Sequence, residues 1–259
     1  VDTVSLPCGE INLRLRGSGP PLVLVSTLAG GWTSQVNELS RQFTVLTYDL
    51  RGFGASPSKT GFPTNAEHAD DLATVLDALG IPRAVVVGMS HGGLVGQHFA
   101  ARHRDRLAGL CLVATFAKPH GPTSMLLRML YGFLERDDLA GFWQVLRSML
   151  FSAAKFAVLE RREASLRRAM FDQYDVESLR SIYGQAIDHD STGWLGAVSC
   201  PTLVVGGSED ILFPPVLVQA LAELVPGARL VTLPAAHIPP VEVPRLFNQL
   251  VSETFGGAG

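Results

Sequence analysis

Ala84-Val85-Val86-Val87-Gly88-Met89-Ser90-His91-Gly92-Gly93 is the stretch on which the reading of this chain turns. Its first four residues are apolar and mostly β-branched, as in a buried strand. Leu94 to His103 then continues as a helix. A serine sits between the two, in a turn flanked by glycines. Side chains at Gly88 and Gly92 would collide with the backbone crossing there, and Gly93 gives the helix a further place to pack close. The serine is expected in a strained backbone conformation with its hydroxyl turned away from the sheet. Gly-x-Ser-x-Gly alone is a weak pattern; its position between a strand and a helix makes it a nucleophile elbow.

Ile11, Leu13 and Leu15 alternate with Asn12, Arg14 and Arg16, a half-exposed early strand. Leu22 to Val25 is a fully apolar run opened by Pro20-Pro21. Phe43 to Tyr48 is a further strand ending at Asp49, followed by the turn-rich loop Arg51 to Ser56. Ala66 to Leu79 has helical spacing (Ala69, Leu72, Val75, Leu76, Leu79) and stops at Gly80. Leu107 to Ala114, Thr202 to Val205 and Arg229 to Leu233 read as strands; Pro214 to Leu224 and about Val241 to Thr254 read as helices.

Continuous apolar strands alternating with helices predict an α/β fold: a doubly wound, mostly parallel sheet covered on both faces. The alternation breaks between Lys118 and Ser199. That stretch reads as helical throughout and is rich in Met, Phe, Trp and Tyr, including Met125, Met129, Tyr131, Phe133, Phe142, Trp143, Met149 and Phe151. The expected organisation is a core of residues 1–117 and 200–259, with residues 118–199 forming a helical cap inserted after the sixth strand.

The 259 residues are 47% apolar and 17% charged, with a net charge of −3, which fits one large globular domain or a domain with an insertion. The basic clusters Arg102 to Arg106, Arg161-Arg162 and Arg167-Arg168 read as solvated helix faces, so no nucleic-acid partner is expected. Val1 to Ile11 has no signal-peptide pattern. Leu107 to Ala117 is too short for a bilayer, which needs ~20 residues, so no membrane association is expected. Cys8, Cys111 and Cys200 are odd in number and widely spaced, which points to a reduced, cytoplasmic setting. No Cys/His cluster has metal-ligand spacing, and neither a metal nor an organic cofactor is expected.

A serine hydroxyl needs a base to become a nucleophile. Of the seven histidines, His237 is the best placed: it follows the strand Arg229 to Leu233, at the carboxyl end where functional groups gather. His91 is expected to pack, His98 and His103 to lie too far along the helix, and His68 and His120 to be on the surface. His189 is the remaining rival. The base needs an orienting acid, and Asp210 follows the strand that begins at Thr202, with Glu209 beside it expected to face solvent. The order Ser90, Asp210, His237 suits an elbow of this kind. The developing oxyanion needs donors; the backbone N–H groups of His91 and of Leu28, in the loop Ser26 to Gly31, are the candidates.

These segments together resemble the α/β-hydrolase superfamily, of the single-domain, lidded type, over nearly the whole chain. Asp49-Leu50-Arg51-Gly52-Phe53-Gly54-Ala55-Ser56 is similar to its Asp-x-Arg-Gly-x-Gly-x-Ser loop, and Gly88 to Gly93 to its elbow. Cys200 to Gly206, leading to Asp210, resembles the strand that delivers the acid. His237 with Glu242 and Pro244 resembles the C-terminal histidine segment. The subgroup it resembles is the 3-oxoadipate enol-lactonase-like and esterase branch, where Trp32 and Gln35 have counterparts. It departs at the oxyanion loop, with Ser26-Thr27 where many relatives carry His-Gly.

The resemblance implies a serine hydrolase that acts on an ester, thioester or lactone of an apolar small molecule through an acyl-enzyme on Ser90. A monomer or homodimer is expected. Trp32, Met125, Met129, Phe133, Phe142, Trp143 and Ile238 are the expected pocket residues. Ser90 argues against dehalogenases and epoxide hydrolases, which use a carboxylate nucleophile. Carbon–carbon bond hydrolysis, hydroxynitrile cleavage, perhydrolysis, polyketide-type thioester release or cyclisation, and a non-turnover receptor on the same scaffold stay open.

Overall fold

The apolar runs become strands of one sheet in the computed structural model, which describes residues 2–6, 9–27, 31–58, 61–159, 174 and 176–257. The strands are β1 (Asp2–Leu6), β2 (Gly9–Arg16), β3 (Pro21–Val25), β4 (Thr44–Tyr48), β5 (Ala84–Met89), β6 (Leu107–Val113), β7 (Thr202–Gly207) and β8 (Arg229–Leu233). Their spatial order is β1-β2-β4-β3-β5-β6-β7-β8. β1 and β2 run antiparallel at one edge, and the other six are parallel. β5 and β7 are buried along their whole length, as expected for strands covered on both faces. β1 is not expected from the sequence. It is five residues long and pairs only at the edge, where one or two buried apolar residues suffice.

The helices α1 (Thr33–Leu39), α2 (Asn65–Ala78) and α3 (His91–Arg102) follow β3, β4 and β5. α2 opens with a capping box: the Thr64 hydroxyl accepts from the N–H of Glu67, and the Glu67 carboxylate accepts from the N–H of Thr64. Arg102 and Arg106 are engaged by Asp70 and Asp77 of α2 rather than free in solvent. The other basic clusters, Arg161-Arg162 and Arg167-Arg168, lie outside the described residues, as does Cys8. Cys111 is buried in β6 and Cys200 half-buried before β7, both as free thiols.

Between β6 and β7 the chain runs through α4 (Pro122–Glu135), α5 (Leu139–Leu150), α6 (Ala153–Leu159) and α7 (Val176–Asp188). Its two ends meet on one buried side chain. Gln97 of α3 donates from Nε2 to the carbonyl of Phe116 (3.0 Å) and accepts at Oε1 from the Ser191 hydroxyl (2.6 Å). Ser191 in turn donates its N–H to Ala117 (2.9 Å). After β7 come α8 (Pro215–Leu224), α9 (Pro239–Glu242) and α10 (Pro244–Phe255). The single last helix expected from the sequence is therefore two, broken at Val243. Pro244 has no N–H to continue the ladder and pushes Val243 out of the helical region, to φ −130° and ψ 56°. No helix among the described residues is long and apolar enough to cross a membrane.

Candidate active site

β5 delivers Ser90 at its carboxyl end, and α3 begins at the next residue. Ser90 has φ 54° and ψ −118°, a region that side-chain-bearing residues rarely occupy. The glycines allow this. A methyl group on Gly88 would overlap the carbonyl oxygen of Gly92, and one on Gly92 would overlap that of Val25. The turn is pinned by the Ser90 N–H, which donates to Val113 of β6 (2.9 Å).

Asp210 and His237 arrive from the carboxyl ends of β7 and β8. The Ser90 Oγ lies 3.0 Å from His237 Nε2, and His237 Nδ1 lies 2.9 Å from Asp210 Oδ2. The other carboxylate oxygen of Asp210 accepts the N–H groups of Leu212 and Phe213, both at 2.9 Å. Asp210 and His237 are both buried. An ionised carboxylate only accepts, so Nδ1 carries the imidazole proton and Nε2 keeps a lone pair toward the serine hydroxyl. The Phe213 ring meets the imidazole edge-on at 4.9 Å and limits its rotation. Glu209, the neighbouring acid, is exposed.

The remaining histidines are elsewhere. His189 reaches Gln97 Oε1 (3.2 Å) at the base of the inserted helices, and burial pushes its imidazole down to about 3. His91 is buried and held at about 4 by the same cause. His68 corrects an expectation: it is buried, not on the surface, with its ring edge-on to His91 at 6.0 Å and tilted against Phe53 at 6.1 Å. Burial holds its imidazole well below the ordinary value. His120 is exposed. As the first residue of α3, His91 has a backbone N–H in the helix's first turn, where no intrahelical partner exists. Leu28 lies outside the described residues.

A cavity of about 90 Å³ opens on Ser90 and His237. Its floor includes Met89, Leu94, Phe116, Phe213 and Ile238; its roof comes from the inserted helices, with Leu127 of α4, Trp143, Leu146 and Leu150 of α5, and Leu179, Ile182, Tyr183 and Ala186 of α7. Of the residues expected at the pocket, Trp143 and Ile238 line this cavity. Met125 and Met129 do not: they are 74% and 43% exposed. They share the outer face of α4, whose buried stripe is Leu127, Leu130 and Leu134. Phe133 stays on α4 beneath the Arg136 guanidinium (5.4 Å), outside the cavity lining. Phe142 backs the cavity wall, edge-on to Tyr183 at 5.1 Å. Trp32 packs on Phe247 of α10 (6.3 Å) and borders a separate groove beyond Ser26 and Thr27. The spacing of Trp143, Leu146 and Leu150, and of Leu179, Ile182, Tyr183 and Ala186, is that of one helix face and was a readable signal for the roof.

The Asp49 to Ser56 loop is held by its own polar contacts. Asp49 Oδ2 accepts from Asn12 Nδ2 (2.9 Å) and the Ala55 N–H (3.0 Å), and Arg51 donates to Asp71 (2.8 Å) in a buried pair. Among the described residues, no cluster of three or more His, Cys, Asp or Glu is arranged to hold a metal ion.

With this geometry in view, residues 20–244 match the family described as "alpha/beta hydrolase fold". The chain is 29% identical over 254 residues to "Putative carbamate hydrolase RutD" of Azorhizobium caulinodans, covering 93% of each. It is 32% identical over 235 residues to pimeloyl-[acyl-carrier protein] methyl ester esterase of Chromobacterium violaceum, covering 86% of this chain and 89% of the relative. The crystal structure of the enol-lactonase from Burkholderia xenovorans LB400 superposes with a TM-score of 0.88 at 28% identity, over 98% of this chain and 99% of that one.

Proposed function

Since the chain belongs to the alpha/beta hydrolase fold family, we propose that it is a serine hydrolase cleaving carboxylic esters, thioesters or lactones with an uncharged, apolar acyl group. The observation that carries this reading is the continuous line from Ser90 Oγ through the His237 ring to Asp210, at the mouth of an apolar cavity.

In this mechanism His237 Nε2 takes the Ser90 proton as Oγ attacks the carbonyl carbon. The negative oxygen of the tetrahedral intermediate rests on the N–H of His91, with the N–H of Leu28 as the second donor that the sequence offers. The imidazolium gives its proton to the leaving oxygen or sulfur, which departs and leaves an acyl-enzyme on Ser90. Water, deprotonated by His237, attacks that acyl group, and a second collapse releases the acid and restores the serine hydroxyl. Asp210 holds the imidazole in one tautomer and balances its charge. No step calls on a metal or an organic cofactor. Residues 118–199 act as the cap that shapes the acyl pocket. The three relatives described above are named for hydrolysis of a carbamate, an ester and a lactone, which agrees with this chemistry.

Among the described lining residues, the only ionisable side chains are those of His91, His237, Tyr174 and Tyr183, and none is Arg or Lys. Against these described residues a carboxylate on the acyl chain would be buried without a counter-charge, at a cost of several kcal/mol. A panel of p-nitrophenyl esters tests this. The kcat/KM for butyrate is expected to exceed that for the hemisuccinate by at least about 100-fold, since an unpaired buried charge forfeits more than a neutral hydrogen bond does. Equal values for the two esters would contradict the apolar-acyl reading.

A further inference from the structure

We propose that Glu242 is a positioning residue that locks the His237 loop to the inserted helices, so that the base and the pocket roof hold their places together. The inference rests on the Ser90–His237 chemistry proposed above. One oxygen of the Glu242 carboxylate accepts the backbone N–H of Ala236 (2.7 Å), the residue just before His237. The other accepts both the backbone N–H (3.0 Å) and the hydroxyl (2.5 Å) of Ser152. Ser152 is buried between α5 and α6, two residues after Leu150 of the cavity roof. A single side chain thus ties the segment carrying the base to the segment that shapes the pocket.

Its own footing is firm. α9, which carries Glu242, is held by the buried Gln35 of α1, whose Nε2 donates to the Pro240 carbonyl (2.9 Å) and to Asn248 Oδ1 (3.0 Å). On the opposite side, the His237 loop presses on the Asp210 segment. The Glu209 N–H donates to Ala235 (2.9 Å), and Gly207 approaches the Ala235 and Ala236 carbonyls so closely that a side chain there would overlap both. The loop is therefore gripped between β7 and Glu242. Removing the carboxylate frees one side of the grip, and a base displaced by a fraction of an ångström loses rate out of proportion to any loss of stability.

The test compares wild type, Glu242→Ala, Glu242→Gln and Ser152→Ala, with active sites titrated by a small fluorophosphonate so that kcat is counted per reactive Ser90. Glu242→Ala is expected to lower kcat per titrated site about 30-fold, because misplacement of a reacting group by about 1 Å can cost about 100-fold. Glu242→Gln keeps one acceptor oxygen, for either Ala236 or Ser152, and sets an NH₂ against the other donor, so its kcat per titrated site is expected to fall between those of Glu242→Ala and wild type. Ser152→Ala keeps the Ala236 contact and is expected to raise KM more than it lowers kcat. Wild-type kcat per titrated site in both Glu242 variants, with only a lower melting temperature, would overturn the proposal and leave the Ser90 chemistry standing. Failure of the fluorophosphonate to modify Ser90 in the wild type would instead overturn that chemistry and this inference with it.

Discussion

Ser90→Ala lowers kcat for p-nitrophenyl butyrate by at least about 10⁴-fold, the scale on which loss of a triad nucleophile removes hydrolysis, and leaves the fold intact. The size follows from what the hydroxyl does. Without Oγ no acyl-enzyme forms, and His237 is left to activate water directly against an unpositioned carbonyl. Residual rate over the uncatalysed reaction comes only from the oxyanion donors and from binding. The fold survives because alanine changes no packing volume of consequence, and the turn is held by the Ser90 N–H to Val113 and by the bare faces of Gly88 and Gly92. Steady-state kinetics on a preparation whose circular dichroism and melting match wild type is the measurement. Activity within tenfold of wild type would remove Ser90 from the reaction.

Asp210→Asn is expected to lower kcat by about 10⁴-fold through the tautomer of the base, an effect known from the corresponding change in other triads. Two N–H groups, of Leu212 and Phe213, donate to one Asp210 oxygen at 2.9 Å. An asparagine satisfies them only with its carbonyl oxygen in that place, which turns its NH₂ toward His237. Nδ1 must then accept, Nε2 carries the proton, and the imidazole cannot take one from Ser90. Melting is expected to change little, because the backbone donors keep their acceptor. Kinetics alongside thermal melts check this. A loss smaller than about tenfold would mean that the acid plays no part in orienting the base.

Much of the core was legible because its signals are steric and periodic. Gly88, Gly92 and Gly93 mark an elbow before any coordinates exist, since only a bare Cα tolerates that crossing. Fully apolar strands separated by helices admit few arrangements other than a parallel sheet. Ser90, Asp210 and His237 could be grouped in advance because each follows a strand, and parallel strands bring their carboxyl ends to one side. What escaped was decided by tertiary context. Residue type suggested Met125 and Met129 for the pocket, whereas the face of α4 is set by Leu127, Leu130 and Leu134. His68 reads as a polar residue on a helix, yet it is buried between Phe53 and His91. The role argued for Glu242 depends on a contact with Ser152, 90 residues away, which no local pattern announces.

The most direct test is to quench wild-type protein in acid during turnover of p-nitrophenyl butyrate, digest it, and locate the trapped butyryl group by mass spectrometry. The expected result is one butyryl group per chain, on the peptide containing Ser90, absent from Ser90→Ala and formed far more slowly in His237→Ala. A butyryl group on another residue, or continued turnover by Ser90→Ala at the wild-type rate, would contradict the account.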